Sequence, residues 1–162
     1  MPDMLVKLYE LPPIHEEYGK MRKLGITVRP ALPAERNVVL NFVKTQFSPI
    51  WEGEAAAALG RMPVSCHIAV RDGEILGFAC WEASARDFFG PTGIIPEARG
   101  KGVGRALLIS CLSAMRDYGY GYAIVGSVGP AEFYEKACGA KVIKDSFPGI
   151  YEGMLKERDN KV

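Results

Sequence analysis

The stretch of sequence best suited to chemistry is residues 94–105, IIPEARGKGVGR, where glycines alternate with basic residues. The residues concerned are Arg99, Gly100, Lys101, Gly102, Val103, Gly104 and Arg105, and together they are called the glycine loop. Glycines let an anion approach the backbone, and the free N–H groups at a helix N-terminus carry about half a positive charge. We therefore interpret the glycine loop as a pyrophosphate site, to which the basic side chains add charge-assisted contacts.

The spacing of the glycines excludes two better-known nucleotide loops. A Walker loop requires GxxxxGK[ST], which this stretch lacks. The dinucleotide pattern GxGxxG also fails, because the frames that begin at Gly100 and Gly102 end in Arg105 and Leu107. Taken alone, the segment also fits a turn that merely caps a helix, and the surrounding sequence must decide between the two interpretations.

The sequence contains no pattern typical of a covalent nucleophile or a metal site. The four cysteines have no CxxC spacing, and only His15 and His67 accompany them. The cysteines are Cys66, Cys80, Cys111 and Cys138. We expect no metal, no acyl-enzyme, and thiols that are reduced and mostly buried.

The elements around the glycine loop are a strand before it and a helix after it. Residues 88–95, FFGPTGII, are extended in character, but Pro91 and two glycines indicate a bulge or a strand edge. Residues 102–118 have apolar positions at helical spacing, and Gly119 is placed to end that helix.

The remaining segments alternate between strands and helices. We predict a β-hairpin from SCHIAV and ILGFACWEA around the turn RDGE, and a helix that begins after the N-cap Ser48. The other predicted strands are 4–9, 26–32, 120–127, 141–145 and 150–155, and the other predicted helices are 33–47 and 130–138. Residues 11–25 are predicted to be irregular or partly helical. This order predicts an α/β sandwich around a mixed sheet.

Composition limits the class of protein. The 162 residues are 48% hydrophobic and 24% charged, with a net charge of +1, which is typical of one globular domain and not of a general nucleic-acid binder. The N-terminal residues lack the apolar region of a secretory signal, and no run of about 18 apolar residues occurs. We expect one domain over 1–162, with 1–25 as an N-terminal extension, in the cytoplasm and without a nucleic-acid or membrane partner.

Two segments in this order resemble the GNAT-type N-acetyltransferases. The acetyl-coenzyme A (acetyl-CoA) signature of that family, R/Q-x-x-G-x-G/A, is matched by Arg99, Gly102 and Gly104. AEFYEKACGAKVI, residues 131–143, is similar to the family's helix that carries a tyrosine beside the coenzyme sulfur, which maps onto Tyr134. The resemblance implies a mostly antiparallel central sheet with helices on both faces.

The resemblance also implies a site and a reaction. The amides of the glycine loop would hold the pyrophosphate of acetyl-CoA, and the backbone of Ile94 and Ile95 would pair with the pantetheine arm. Ser127 stands where the family often has an asparagine that contacts the pantetheine. Tyr134 would serve the departing thiolate, and the acceptor amine would attack the thioester directly. A sensor that binds acyl-CoA without turnover, a different acyl group and a hydroxyl acceptor are the alternatives.

Attack by an amine requires that a proton be removed, since an alkylamine with a pKa of about 10.4 is mostly protonated at neutral pH. The carboxylates that could accept this proton are Glu82, Asp87 and Glu97. We predict Glu82, because it would lie near the centre of the sheet beside Trp81; the alternative is a solvated carboxylate at a strand end.

The acceptor is expected to be a small-molecule or protein amine. The residues expected to select it are 47–61, Trp81, Phe88, Phe89 and Tyr151. These aromatic residues also fit an ordinary core. Strand 4–9 could form a sheet edge that pairs with a second subunit in a homodimer.

Overall fold

The strands form one mixed sheet in the computed structural model, which describes residues 1–156. The strands are β1 Met4–Lys7, β2 Thr27–Pro30, β3 Cys66–Arg71, β4 Glu74–Trp81, β5 Phe88–Ile94, β6 Tyr122–Val125 and β7 Lys141–Val142. Their order is β2-β3-β4-β5-β6-β1-β7, and every neighbouring pair is antiparallel except β5 and β6. The mixed, mostly antiparallel sheet was therefore predicted correctly.

Helices cover both faces of the sheet. The α-helices are α1 Ile14–Lys23, α2 Arg36–Gln46, α3 Pro49–Leu59, α4 Val103–Tyr118 and α5 Ala131–Cys138. α2 and α3 pack around Phe78 on one face, whereas α1, α4 and α5 pack on the other around a cluster that includes Leu107. None of the helices in residues 1–156 is long and apolar enough to cross a membrane.

The local signals in the sequence set most of these bounds. The Ser48 side chain accepts a hydrogen bond from the Trp51 amide, as expected of the N-cap of α3. α4 lies between Gly102 and Gly119, both with positive φ, and follows the predicted range closely. All four cysteines are free and buried, as expected.

Three sequence-based expectations are changed by the structure. The strand predicted at 150–155 is wrong, because Pro148 and Gly149, whose φ is +61°, produce a 3₁₀ turn over Gly149–Tyr151. The predicted edge strand is also wrong, since β1 lies between β6 and β7 and has neighbours on both sides. The connection after β1 contains a regular helix, α1, which packs on α4.

The sheet opens between β5 and β6. These parallel strands pair only at Phe88 with Ile124 and at Phe89 with Val125. The next residues of β5 are Gly90, with φ of +122°, and Pro91, which has no N–H to continue the ladder. The strands then diverge, and the end of β5 lies beside the start of α4, where Ile94 Cγ1 would be 3.6 Å from a Cβ on Gly104.

Candidate active site

The glycine loop forms a row of free amides at the N-terminus of α4. Gly100 and Gly102 have φ of +72° and +82°, which is a left-handed conformation that favours glycine, and Gly102 is the N-cap of α4. The N–H groups of residues 100–105 find no well-formed hydrogen-bond acceptor among residues 1–156. A Cβ added to Gly100 would meet nothing within 4 Å, so the space over the loop is open. These features fit a phosphate group held by backbone N–H groups.

The basic side chains of the loop are held by the protein itself. Arg99 Nε donates to the Ile94 carbonyl at 3.2 Å, and Lys101 Nζ donates to the Glu97 carbonyl at 2.9 Å. Arg105 is held more firmly, and its partners are described next. The backbone of the loop is therefore the part that is free to bind an anion, and the side chains contribute mainly their field.

Helix α1 supports the loop from below. Glu17 of α1 is buried, with 2% of its side chain exposed, and accepts a hydrogen bond from Arg105 Nε at 2.8 Å. Arg105 also donates to the Ala137 carbonyl of α5 at 3.1 Å. Met21 Cε would lie 3.5 Å from a Cβ on Gly102. The N-terminal segment 1–25, which was expected from the sequence to be an extension, therefore holds the start of α4 in place through α1.

Strand β5 directs alternate amides into the opening of the sheet. The Ile95 N–H donates to the Leu76 carbonyl of β4 at 3.0 Å, so it is already used inside the sheet. Because N–H groups alternate along a strand, those of Thr92 and Ile94 point to the other edge, towards the opening. Of the two expected isoleucines, Ile94 has the free backbone edge.

A cavity of about 700 Å³ occupies the opening. It is called the central cavity, and its lining includes Trp51, Glu54, Ser84, Phe89, Gly90, Thr92, Ser127, Tyr134, Tyr151 and Met154. α3 contributes from one face of the sheet and α5 from the other, so the cavity runs through the sheet. The two faces can therefore present different molecules to the same point.

Tyr134 of α5 extends from the second face into this cavity. Its residue is 7% exposed, and burial raises the pKa of its hydroxyl to about 12, with Cys138 adding to the increase. Its ring packs edge-on against Phe89 and Phe133, with centroids 6.4 and 5.0 Å away. The hydroxyl forms no hydrogen bond with a residue in the range 1–156. A neutral hydroxyl here is available as a hydrogen-bond donor.

The model of the acetyltransferase (GNAT) family matches residues 37–140, well over half of the chain. The chain belongs to the GNAT acetyltransferase family. The match includes the glycine loop and Tyr134, but it begins after α1.

Solved structures of GNAT proteins share the fold. A GCN5-related glucosamine N-acetyltransferase region of a fungal multi-domain β-N-acetylglucosaminidase is 17% identical with a TM-score of 0.71, covering 88% of this chain and 19% of that one. GCN5-related N-acetyltransferases from Sphaerobacter thermophilus and Kribbella flavida are 22% and 17% identical, with TM-scores of 0.60 and 0.58. They cover 88% and 87% of this chain, which spans 48% and 53% of theirs. Comparison with curated protein sequences gave no match.

Glu82 lies in this GNAT fold at the end of β4 but not in the lining of the central cavity. Its carboxylate, 3% exposed, forms an ion pair with Arg61 and accepts a hydrogen bond from the Tyr120 hydroxyl. Trp81 beside it belongs to the core. Burial, followed by the charge of Glu82, raises the pKa of Asp87. The role of Glu82 as a base stays a prediction, and the structure gives its carboxylate two partners within the protein.

Ser127 lines the central cavity of the GNAT fold, but its N–H donates to Asp3 Oδ1 at 2.8 Å. Its φ of +47° lies in the left-handed region, just after the end of β6. The Asp3 amide in turn donates to Ser146 Oγ at 2.7 Å. The amide of Ser127 is therefore used to shape the opening, and its hydroxyl is the group left for a ligand.

Sequence reasoning did not identify two polar residues of the cavity, Glu54 and Ser84. Glu54 lies within the stretch 47–61 that was expected to select the acceptor, but no spacing marks it out from Glu52 on the same helix. Ser84 lies in the loop between β4 and β5, and its hydroxyl donates to Glu54 Oε1. Of the expected aromatic residues, Phe89 and Tyr151 line the cavity, whereas Trp81 and Phe88 do not.

Proposed function

We propose that this GNAT protein is an acetyl-CoA-dependent N-acetyltransferase that transfers the acetyl group directly from the thioester to an amine. The observation that carries this proposal is the row of free amides in the glycine loop, beside a strand edge that leads to Tyr134. The amides of residues 100–105 would bind the pyrophosphate of acetyl-CoA, and the open edge of β5 would hold the pantetheine arm.

The chain supplies groups for both charges that develop in such a reaction. The negative charge on the thioester oxygen would be stabilised by the N–H of Ile94, which is fixed by the sheet before any substrate binds. The negative charge on sulfur would be stabilised by the Tyr134 hydroxyl. Its pKa of about 12 keeps it protonated, so it donates a hydrogen bond that strengthens as the thiolate forms.

The amine must lose a proton before or during its attack, at a cost of about 4 to 5 kcal/mol for an unperturbed alkylamine at neutral pH. A positioned carboxylate typically contributes about 10² to 10⁴ in rate. Glu82 is the carboxylate proposed from sequence, and Glu82→Gln tests it. A covalent acyl-enzyme is not needed for this chemistry, since the amine is itself the nucleophile.

The proposal is tested by release of free thiol from acetyl-CoA with a panel of amines. The panel includes glucosamine, because the fungal region of similar fold is described as a glucosamine N-acetyltransferase. We expect thiol release that depends on one class of amine and on the glycine loop. Binding of acetyl-CoA without release for any amine would favour the sensor, and faster turnover with a longer acyl-CoA would change the acyl group.

A further inference from the structure

One carboxylate of the central cavity has no cationic partner within the described chain. Of the residues 1–156 that line the cavity, Glu54 has the only charged side chain, and the α-ammonium of Met1, another lining residue, forms no ion pair with it. Two buried carboxylates elsewhere are paired with arginines, Glu17 with Arg105 and Glu82 with Arg61, and a third, Asp3, accepts a hydrogen bond from the Ser127 amide. No ion pair of Glu54 occurs within residues 1–156. A half-buried carboxylate without a counter-ion is a site that attracts a cation.

The carboxylate is held in a fixed position. Ser84 Oγ donates a hydrogen bond to Glu54 Oε1, which ties α3 to the loop between β4 and β5. Tyr151 lies beside them: burial raises the pKa of its hydroxyl, Ser84 opposes the increase, and the charge of Glu54 adds to it. One carboxylate oxygen is thus used for positioning, and the other has no partner among the described residues.

The surroundings of Glu54 are apolar and belong to one face of the sheet. Ile50 and Trp51 of the same helix line the cavity beside it. Glu54 enters the cavity with α3, on the face opposite to α5 and its Tyr134. A molecule that enters the cavity beside Glu54 would therefore approach a ligand bound by Tyr134 and the edge of β5 from the opposite face of the sheet.

We propose that Glu54 binds the acceptor of the transfer reaction, a primary amine on an apolar stem, and accepts a proton from its nitrogen. This proposal rests on the proposed function and names the acceptor side of the same site. The walls of Ile50 and Trp51 would cover the stem, while the carboxylate selects a cation over a neutral group.

The proton and electron balance of the step is simple. The ammonium bound at Glu54 loses one proton to solvent and becomes the free amine. Its nitrogen forms a bond to the thioester carbon, and the electron pair of the carbon–sulfur bond leaves with sulfur. The second proton moves from the nitrogen, made acidic by the new bond, to Glu54 and then to solvent. The sulfur, hydrogen-bonded by Tyr134, takes up a proton from solvent.

The experiment compares Glu54→Gln with the matched control Glu52→Gln. Glutamine keeps the size of the side chain and an acceptor for Ser84 but removes the charge. Glu52 lies on the same helix, pairs with Lys44 at 3.6 Å and does not line the cavity. The probes are phenethylamine and its uncharged analogue 2-phenylethanol, added to protein saturated with coenzyme A. The readouts are the melting temperature and the kcat and KM for phenethylamine with acetyl-CoA.

We expect phenethylamine, but not 2-phenylethanol, to raise the melting temperature of the wild type and of Glu52→Gln. In Glu54→Gln this difference should vanish and kcat/KM should fall by about a hundredfold, with an unchanged shift for coenzyme A. Ser84→Ala is a second variant, which retains the charge and should keep the preference for the amine with a loss of about tenfold or less.

Several results would overturn the assignment of Glu54. These are an amine shift that persists in Glu54→Gln, no amine shift in the wild type, or a loss of kcat that occurs in Glu82→Gln and not in Glu54→Gln. The proposed function can fail separately. If phenethylamine binds through Glu54 but no thiol is released with any amine of the panel, the amine site stands and the transferase does not.

Discussion

The glycine loop and the Glu54 side of the central cavity are built from different kinds of chemical group. The loop uses consecutive residues and backbone amides, and its charged side chains are tied back to the protein. The Glu54 side of the cavity uses the side chains of Glu54, Ser84 and Tyr151, which are distant in sequence. A backbone site requires glycine conformations and a helix start, whereas a side-chain site requires only that the fold bring a few polar groups together. The glycine loop should therefore tolerate substitutions of its side chains better than the Glu54 side of the cavity does.

The largest effect is expected where the backbone site is damaged directly. Gly102→Asp places a carboxylate in the expected pyrophosphate site and strains a residue with φ of +82°, so acetyl-CoA binding should be lost. Gly102→Ala separates the two causes, because an added Cβ meets only Met21 Cε, at an ordinary 3.5 Å. We expect the alanine variant to lose about 1 kcal/mol of stability but still to bind. Calorimetric titration with acetyl-CoA measures the affinity of each variant, and thermal unfolding measures its stability. Tight binding of acetyl-CoA by Gly102→Asp would show that the loop is not the site.

The next effect tests Tyr134, which lines the central cavity on the face of the sheet opposite to Glu54. Tyr134→Phe should lower kcat by about ten- to a thousandfold, the loss expected for about 1.5 to 4 kcal/mol, and leave acetyl-CoA affinity nearly unchanged. Steady-state kinetics over a pH series checks this. Full kcat with a lower melting temperature would make Tyr134 a structural residue.

The pH dependence of the difference in kcat between the wild type and Tyr134→Phe follows from the burial of the Tyr134 hydroxyl. Burial raises the pKa of Tyr134 to about 12, so the neutral form is favoured in the folded state. Folded and unfolded tyrosine are both protonated below about pH 9, and the stability that the neutral form provides is lost only as pH rises from about 10 through 12. The ratio of wild-type to Tyr134→Phe kcat should therefore be constant from pH 7 to about 9. A ratio that changes tenfold in this range would mean that the hydroxyl titrates there.

Glu82→Gln distinguishes a structural carboxylate from a catalytic one. The substitution weakens the ion pair with Arg61 and should lower the free energy of unfolding by about 1 to 3 kcal/mol. Because Glu82 does not line the central cavity, we expect kcat to stay within about threefold of the wild type. Chemical denaturation and thiol release measure the two effects. A fall in kcat of about a hundredfold with little change in stability would instead confirm the base predicted from sequence.

The smallest effect is expected for the basic side chains of the loop. Lys101→Ala should weaken acetyl-CoA binding by about tenfold or less, since Lys101 Nζ already donates to the Glu97 carbonyl and lies at the surface. Lys44→Ala, which removes a lysine paired with Glu52 and outside the loop, should leave binding unchanged. A loss of more than about a hundredfold for Lys101→Ala would mean that side chains, and not amides, hold the phosphates.

The same contrast explains what the sequence could predict. Three signals are local in the sequence: glycines before apolar residues at helical spacing, the Ser48 N-cap, and the strand interrupted at Pro91. The family and the elements α3, α4 and β5 were therefore predictable. Glu17 and Arg105, which bond to each other, are 88 positions apart in the sequence, and Ser84 and Glu54 are 30 positions apart. No spacing encodes such contacts, because tertiary packing creates them. The 3₁₀ turn at Gly149–Tyr151 was mistaken for a strand because its apolar residues resemble those of a closing strand.

The most direct test of the central claim is the melting temperature of the wild-type protein with and without acetyl-CoA. If the glycine loop and the open edge of β5 form the donor site, ligand at about 100 times its Kd adds roughly 2.7 kcal/mol of stability. We expect a clear rise in melting temperature for the wild type and none for Gly102→Asp. An unchanged melting temperature of the wild type at millimolar acetyl-CoA would contradict the account.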